Sequence, residues 1–507
     1  MSLESAFFDT LRRFVAIPSI SADKSYADHC WQAARFIATT CELLGCQTKM
    51  ATSQGKGGHG VDFPIVIARM CANAKGTAHW TGDHLPNHPS EAMPGGRECV
   101  VVYGHYDVAY AQHDADWKSD PFEMTGRDGY LYGRGVSDDK GPILTSLYAA
   151  NELHLAGKLG VDVVFVIEGE EESGRSLHDR SFPDIIRDNM HWFEGCKAVV
   201  ISNNYWVDNE RPCLTYGMRG VIDLEVWVSG PRKDLHAGVD GGIVHEPIAD
   251  LAEILASLQA KDGTIAVEGI YDGVRELDDT EEERLEAVGL SVETYSKALG
   301  LGKVRAETPI DLVKSRWCLP SLSIGSIETT NLSNQFRKIP KAVVGRASLF
   351  FVPDQNSEIL KMALQKHIQG VFDRRGSSNT LNVRFKQVSN YWIGDTNNHI
   401  FTVSAKAVED VWGVKPLLVR EGGTYGGISA FLEETLGAPA LHLPLGQASD
   451  NAHLPNERIR VHNLLQGKKV LGRLIAILGQ ENTSPLRTPS RGALDAQGAS
   501  PPAPMQL

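Results

Sequence analysis

The sequence predicts an α/β protein with a covered, mixed sheet, interrupted by an inserted α+β unit. Three observations point there. Short apolar runs at 65–68, 100–103, 163–167 and 199–202 have the unbroken hydrophobicity of strands buried on both faces. Helical stretches alternate with them, among them one over about 142–155. From Tyr216-Gly217-Met218-Arg219-Gly220 the style changes to open, alternating strands, and at about residue 385 it changes back.

Each element has a local reason. Phe7, Leu11, Phe14 and Val15 recur at helical spacing and stop at Ile17-Pro18, because a residue before proline is pushed out of helical geometry. A second helix, over about 26–44, ends on Gly45. Residues 71–97 carry Gly, Pro, His and Asn without periodicity and read as a surface insertion; His79, His84 and His88 lack carboxylate or thiol partners at ligand spacing, so a solvated loop is the better reading. In the insert, 221–228 alternates like a half-covered strand, 248–258 and 359–368 are helical, and 347–352 is a strand. A helix over 402–411 and strands at 416–419 and 440–443 restore the α/β pattern. The expected division is 1–216 and 385–478 for the main domain, 217–384 for the insert and 479–507 for a disordered tail rich in Pro, Ser, Gly and Ala.

The length of 507 residues suits two or three folding units. A net charge of −13 argues against a nucleic-acid surface, which needs clustered Lys and Arg. Eight cysteines show no C-x-x-C pair, the N-terminus does not read as a signal peptide, and no apolar run reaches membrane-spanning length. Reduced thiols in a cytoplasmic protein follow as the expectation.

Four polar segments carry the chemistry. His105 and Asp107 follow the apolar run 100–103; at i and i+2 they point to one side of an extended chain, so His105 can bind a metal while Asp107 accepts its other ring N–H. Asp138-Asp139 follows a Gly-Arg-Gly turn and precedes a helix, where one aspartate alone would read as a cap but two allow a carboxylate that bridges cations. Glu170-Glu171-Glu172 follows the run 163–167, and acids gathered at a sheet end need a cation against their repulsion. One of them can bind and its neighbour can act as a general base. His453, in Asp450-Asn451-Ala452-His453, reads as a loop histidine until a further ligand is wanted.

In this order, from about residue 5 to 475, these segments resemble the M20 family of metallopeptidases, the carnosinase and glutamate carboxypeptidase group. The resemblance implies a zinc-exopeptidase-like catalytic domain holding two divalent ions, zinc or manganese, and an inserted lid that makes a homodimer. By position His105 and Asn203 would bind one ion, Asp138 would bridge both, and Glu172 and His453 would bind the other. Asp107 would support His105, and Glu171 would be the general base. His236 matches a lid histidine that reaches the neighbouring subunit's site, and Thr424 a hydroxyl that touches substrate. The implied substrate is a small peptide.

Two positions depart from the family pattern. Asn203 stands where the family places Asp; an amide oxygen carries no charge and is a poor zinc ligand. Phe350 stands where related enzymes carry Arg, and it cannot hold a substrate carboxylate by paired hydrogen bonds. Within the family, the stretches 168–174, 203–206 and 213–217 resemble the peptidase-like subunit of the fungal glutathione-degrading complex, down to the Asn. That resemblance implies a role in glutathione or Cys-Gly catabolism. It also implies an alternative, a weakly catalytic scaffold for a glutamine-amidotransferase-like partner. An aminoacylase or deacetylase of the same fold would differ only in pocket shape.

Overall fold

The strand Cys99–His105 is buried along its whole length and lies at the centre of a nine-stranded sheet. The computed structural model describes residues 3–52, 63–72, 98–112, 116–174, 181–329, 337–423 and 426–480. Apart from Cys71 and Ala72, the expected insertion at 71–97 falls outside them, as does the tail beyond Gln480.

Across the large sheet the order is Gln47–Ala51, Ile65–Met70, Asp162–Glu168, Cys99–His105, Cys196–Ile201, Ala440–His442, Cys213–Met218 and Trp392–Ile393, with Leu417–Glu421 also paired to Cys213–Met218. The sheet is mixed, and the run Asp162–Glu168, Cys99–His105, Cys196–Ile201 and Ala440–His442 is parallel. Parallel strands direct their C-terminal ends to one edge, where open α/β sheets place their ligands. Register makes this concrete, since His105 lies abreast of Glu168 and Tyr103 abreast of Ile201.

Helices cover both faces. In Lys140–Leu155 every residue from Lys140 to Asn151 is buried, the mark of a helix enclosed on all sides. Lys140 itself is buried there and donates to the carbonyls of Phe14 and Ile17 at 3.0 and 2.7 Å. Among the described residues no helix is long and apolar enough to cross a membrane.

The small sheet is antiparallel, ordered Ser321–Thr329, Ala342–Phe351, Gly220–Ser229, Thr380–Ser389. Helices Pro247–Ser257 and Ser357–Arg375 cover one face, with Leu251, Ile254, Leu255, Leu364 and Ile368 in its core. Three helices that the sequence pattern did not predict, Asp279–Val288, Val292–Ala298 and Pro309–Trp317, lie in the chain between the small-sheet strands Gly220–Ser229 and Ser321–Thr329. Leu285, Val288, Val313 and Trp317 pack with Trp206, Cys213 and Val419 of the large domain. A buried ion pair between Arg420 and Glu281 ties them down, and the Tyr216 hydroxyl donates to Glu281 at 3.0 Å.

Candidate active site

The strand ends deliver three of the site's segments, those of His105, Glu171 and Asn203, to one place. Beyond His105 the pairing continues for one residue, with the Tyr106 N–H donating to the Glu168 carbonyl at 2.7 Å. Gly169 permits this approach, since a Cβ there would lie 2.2 Å from the Tyr106 ring. Asp107 is held from two sides, accepting from Ser21 Oγ at 2.5 Å and from the Glu172 N–H at 3.0 Å. His105 Nδ1 faces the Asp107 carbonyl at 3.0 Å and its carboxylate at 3.2 Å. The other ring nitrogen, Nε2, faces Asp138.

The two adjacent aspartates separate. Asp139 occupies the cap position of the helix without capping it; its carboxylate instead accepts from the His105 N–H at 3.2 Å. Gly104 leaves room for it, because a Cβ there would stand 2.5 Å from Asp139 Oδ2. Asp138 enters the cluster. Its Oδ1 lies 3.1 Å from His105 Nε2, and its Oδ2 3.1 Å from His453 Nε2. His453 Nε2 is also 3.1 Å from Glu172 Oε2, and Glu171 Oε2 is 3.9 Å from His105 Nε2. One carboxylate thus touches both imidazoles, the arrangement a bridging ligand needs.

Asn203 also reaches the cluster. Its amide nitrogen donates to Asp138 Oδ1 at 2.9 Å and lies 3.2 Å from His105 Nε2, while its Oδ1 accepts from the Asn204 N–H. The side chain therefore presents a donor, not an acceptor, to the neighbours with which it would share an ion.

The cluster is short of positive charge. Burial holds the Glu171 carboxyl well above the usual carboxylate range, reinforced by Glu172, Asp138 and Asp107 and opposed by His105. Glu172 is raised by burial and by Asp138. Both imidazoles answer by holding protons: His105 is raised by Asp107 and Asp138 against the effect of burial, and hydrogen bonds to Asp138 and Glu172 lift His453 to about 11. Asp138 is lowered by the two histidines although it is buried. Among the described residues two groups have ligand spacing, His105 with Glu171 and Glu172, and Asp138 with Glu172 and His453. Glu172 Oε1 is buried without a hydrogen-bond partner. A cation would supply the missing charge, take up that orphaned oxygen and displace the imidazole protons. The residues fit such a group best at Asp138, Glu172 and His453.

Other expected residues lie elsewhere. His236 is exposed on the small-sheet domain, where it caps the short helix Ala237–Asp240 by accepting from the Gly238 N–H at 3.1 Å. Thr424 falls outside the described residues. The Phe350 ring lies under the Arg219 guanidinium, 5.0 Å away.

Sequence reasoning missed two buried polar residues near the site, Glu457 and His442. Asn204 Nδ2 is 2.7 Å from His442 Nδ1, and Ser429 Oγ is 2.7 Å from Nε2. A polar residue inside an apolar strand was the available signal. Burial lowers His442 from 6.5 to about 3, so the ring is neutral. The unfolded chain takes up this proton near its ordinary value of 6.5, so stability intact above that pH is lost as pH falls toward about 3. At about pH 5 the loss is about 2 kcal/mol. Asp450, raised to about 7 by burial, has the opposite slope. The readout is therefore a difference: in urea unfolding at about pH 7.5 and pH 5, wild type should lose about 2 kcal/mol more than His442→Gln. Equal losses would mean that the buried ring titrates normally.

Comparison with known proteins accords with this geometry. Residues 101–477 match the family model for peptidase family M20/M25/M40. The chain is 35% identical over 492 residues to a Cys-Gly metallodipeptidase of Candida albicans, covering 94% of this chain and 96% of that one. It is 33% identical to a probable di- and tripeptidase of Saccharomyces cerevisiae, covering 92% of this chain but 50% of the relative. The solved structure of the Saccharomyces cerevisiae dipeptidase Dug1p superposes with a TM-score of 0.83 at 31% identity, covering 95% and 97% of the two chains. With the family model spanning most of its length and relatives matching nearly all of it, the chain belongs to peptidase family M20/M25/M40 and is a metallodipeptidase-type hydrolase.

Proposed function

We propose that the chain hydrolyses Cys-Gly or a similarly small peptide in glutathione catabolism, using two divalent ions, zinc or manganese. The observation that carries this reading is Glu171: a carboxyl with a raised pKa beside a His105–Asp138–Glu172–His453 cluster. Asp138, Glu172 and His453 would hold one ion, and His105, Asp138 and Asn203 the other, with Asp138 shared. When bound, the ions act as Lewis acids toward the peptide carbonyl and make water acidic enough to attack at neutral pH. Glu171 takes the proton of the attacking water and returns it to the leaving amine. Asp107 keeps His105 in the tautomer that leaves Nε2 free.

Dimerisation through the small-sheet domain would carry His236 toward the partner's cleft, where it would stabilise the developing oxyanion. The exposed Val239 and Ile243 beside it support such a contact. Thr424 would bind the substrate. The substrate names of the relatives support the dipeptide reading. Asn203 favours a second reading, in which the chain is mainly a scaffold for a glutamine-amidotransferase-like partner.

The test is to load the purified chain with zinc or manganese and supply glutathione and Cys-Gly without any partner. Free cysteine and glycine, with glutathione intact, is the expected product pattern by mass spectrometry. Glutamate plus Cys-Gly would mean γ-glutamyl cleavage. No product from either would move the assignment to the scaffold.

A further inference from the structure

We propose that Glu457 is a positioning residue that sets the distance between Asp138 and His453, and so the cation affinity of the site they share. The inference rests on reading that cluster as a cation site. Its observations concern the turn and the loop that carry Asp138 and His453, and none is a contact among the candidate ligand atoms. The Glu457 carboxylate is fully buried, and every hydrogen-bond donor recorded on it comes from the turn that ends in Asp138. Oε2 accepts from Arg134 Nη1 and the Gly135 N–H, both at 2.9 Å. Oε1 accepts from the Ser137 N–H and hydroxyl at 2.9 Å and from the Asp138 N–H at 3.1 Å. The backbone joins the same pair of segments, with the Gly133 N–H donating to the Glu457 carbonyl at 3.0 Å.

The local fold explains why a glutamate serves here. Strand Arg458–Arg460 pairs with Tyr130–Tyr132, which brings residues 133 and 457 abreast where both chains leave the sheet. The turn then exposes successive N–H groups on one side, a concavity that takes an anion. Arg134 completes the neutralisation and reaches on, with Nη2 3.4 Å from the Leu454 carbonyl.

The loop on the other side needs this hold. His453 is 58% exposed at its side chain, and Asn451, His453 and Asn456 all have left-handed backbone, with φ of 57°, 61° and 62°. Outside glycine that conformation is uncommon, although Asn and His adopt it more readily than most, and support from elsewhere in the fold helps to keep it. In the metal-free protein His453 is held by its contacts with Asp138 and Glu172, but a bound cation would replace those hydrogen bonds, so a hold from outside the ligand atoms is needed to keep the spacing in both states. Glu457, four residues further on, ties the loop to the backbone of the Asp138 turn and meets none of the side-chain atoms that would hold an ion.

The apo protein should be titrated with zinc against a chromophoric chelator, as wild type, as Glu457→Gln and as the double variant Arg134→Met with Glu457→Gln, with a thermal melt of each. Glu457→Gln turns an amide toward N–H donors and strands the buried Arg134, so it should lower zinc affinity roughly 10–100-fold, the range seen when a ligand's support is removed, and also lower Tm. The double variant removes the stranded charge, so its Tm should recover while its zinc affinity stays low. Wild-type affinity in Glu457→Gln, or recovery of affinity together with Tm in the double variant, would overturn the proposal and leave Glu457 a purely structural residue. Absence of zinc binding by wild type would overturn the cation reading itself and this inference with it, an outcome distinct from the other two because it appears before any substitution.

Discussion

Replacing Glu171 by Gln should lower kcat for Cys-Gly by about 10²–10⁴-fold, the usual contribution of a positioned general base. The two side chains have nearly the same shape, but the amide cannot take a proton from water. Glu171 is the acid best suited to that step. Asp138 and Glu172 each engage His453 within 3.1 Å, whereas Glu171 stands back, 3.9 Å from His105. Its carboxyl is raised by burial and by three neighbouring acids, which brings its proton affinity toward the working range of a general base. The Asp138, Glu172 and His453 ligand group is complete without it, so the ion held there should be retained, while occupancy beside His105, where Glu171 also has ligand spacing, is to be measured. Turnover is to be compared at matched metal content, with KM measured alongside. Loss of kcat with intact loading would locate the chemistry at this residue. Unchanged turnover in an assembly with an amidotransferase-like partner would show that the reaction runs elsewhere and that this chain is the scaffold.

Much of that site could be read from the sequence because of how the large sheet is made. The central strands are buried on both faces, so they appear as unbroken apolar runs, and their ends are marked by an abrupt change to His105, Glu170 or Asn203. Once the strands are parallel, those polar ends must meet. His453 and Glu457 could not be reached in this way. They lie more than 300 residues from Asp138, and their placement depends on a short strand pair, 130–132 with 458–460, that has no periodicity to detect. The helices at 279–317 were illegible for a different reason. Asp279–Val288 is strongly acidic, with little apolar surface beyond Leu285 and Val288, and it is held by Trp206, Trp317 and Arg420 from distant parts of the chain. Its stability is tertiary rather than intrinsic. The identity of Asn203 was plain from the start, but not which end of its amide faces the cluster, because that depends on the Asn204 N–H.

That orientation gives the second large prediction: Asn203→Asp should change the protein's stability in opposite directions with and without metal. In the metal-free state the Asn203 amide donates to Asp138 and lies against His105 Nε2. To coordinate an ion through oxygen it must turn, giving up its bond from the Asn204 N–H and both inward contacts. An aspartate can keep the bond from the Asn204 N–H on one oxygen and offer the other to the ion, and it brings a charge. One further unit charge about 4 Å away is worth about 4 kcal/mol per unit of cation charge at an effective dielectric of about 20. Desolvation and repulsion from Asp138 and the two glutamates offset much of it. A net gain of about 1.4–3 kcal/mol remains, or roughly 10–100-fold in affinity for the ion on the His105 side. Without metal the same charge stands beside Asp138 with no cation between them, in a site already crowded with acids, so the metal-free Tm should fall below that of wild type. With zinc at saturation it should rise above wild type, because tighter binding to the native state adds stability by mass action. Wild type is expected to fill its second equivalent only in excess metal, and Asn203→Asp to take up two equivalents stoichiometrically. An unchanged titration and a melt unaffected by zinc would show that residue 203 does not face an ion, and that Asn203 serves as a neutral donor closing this side of the site.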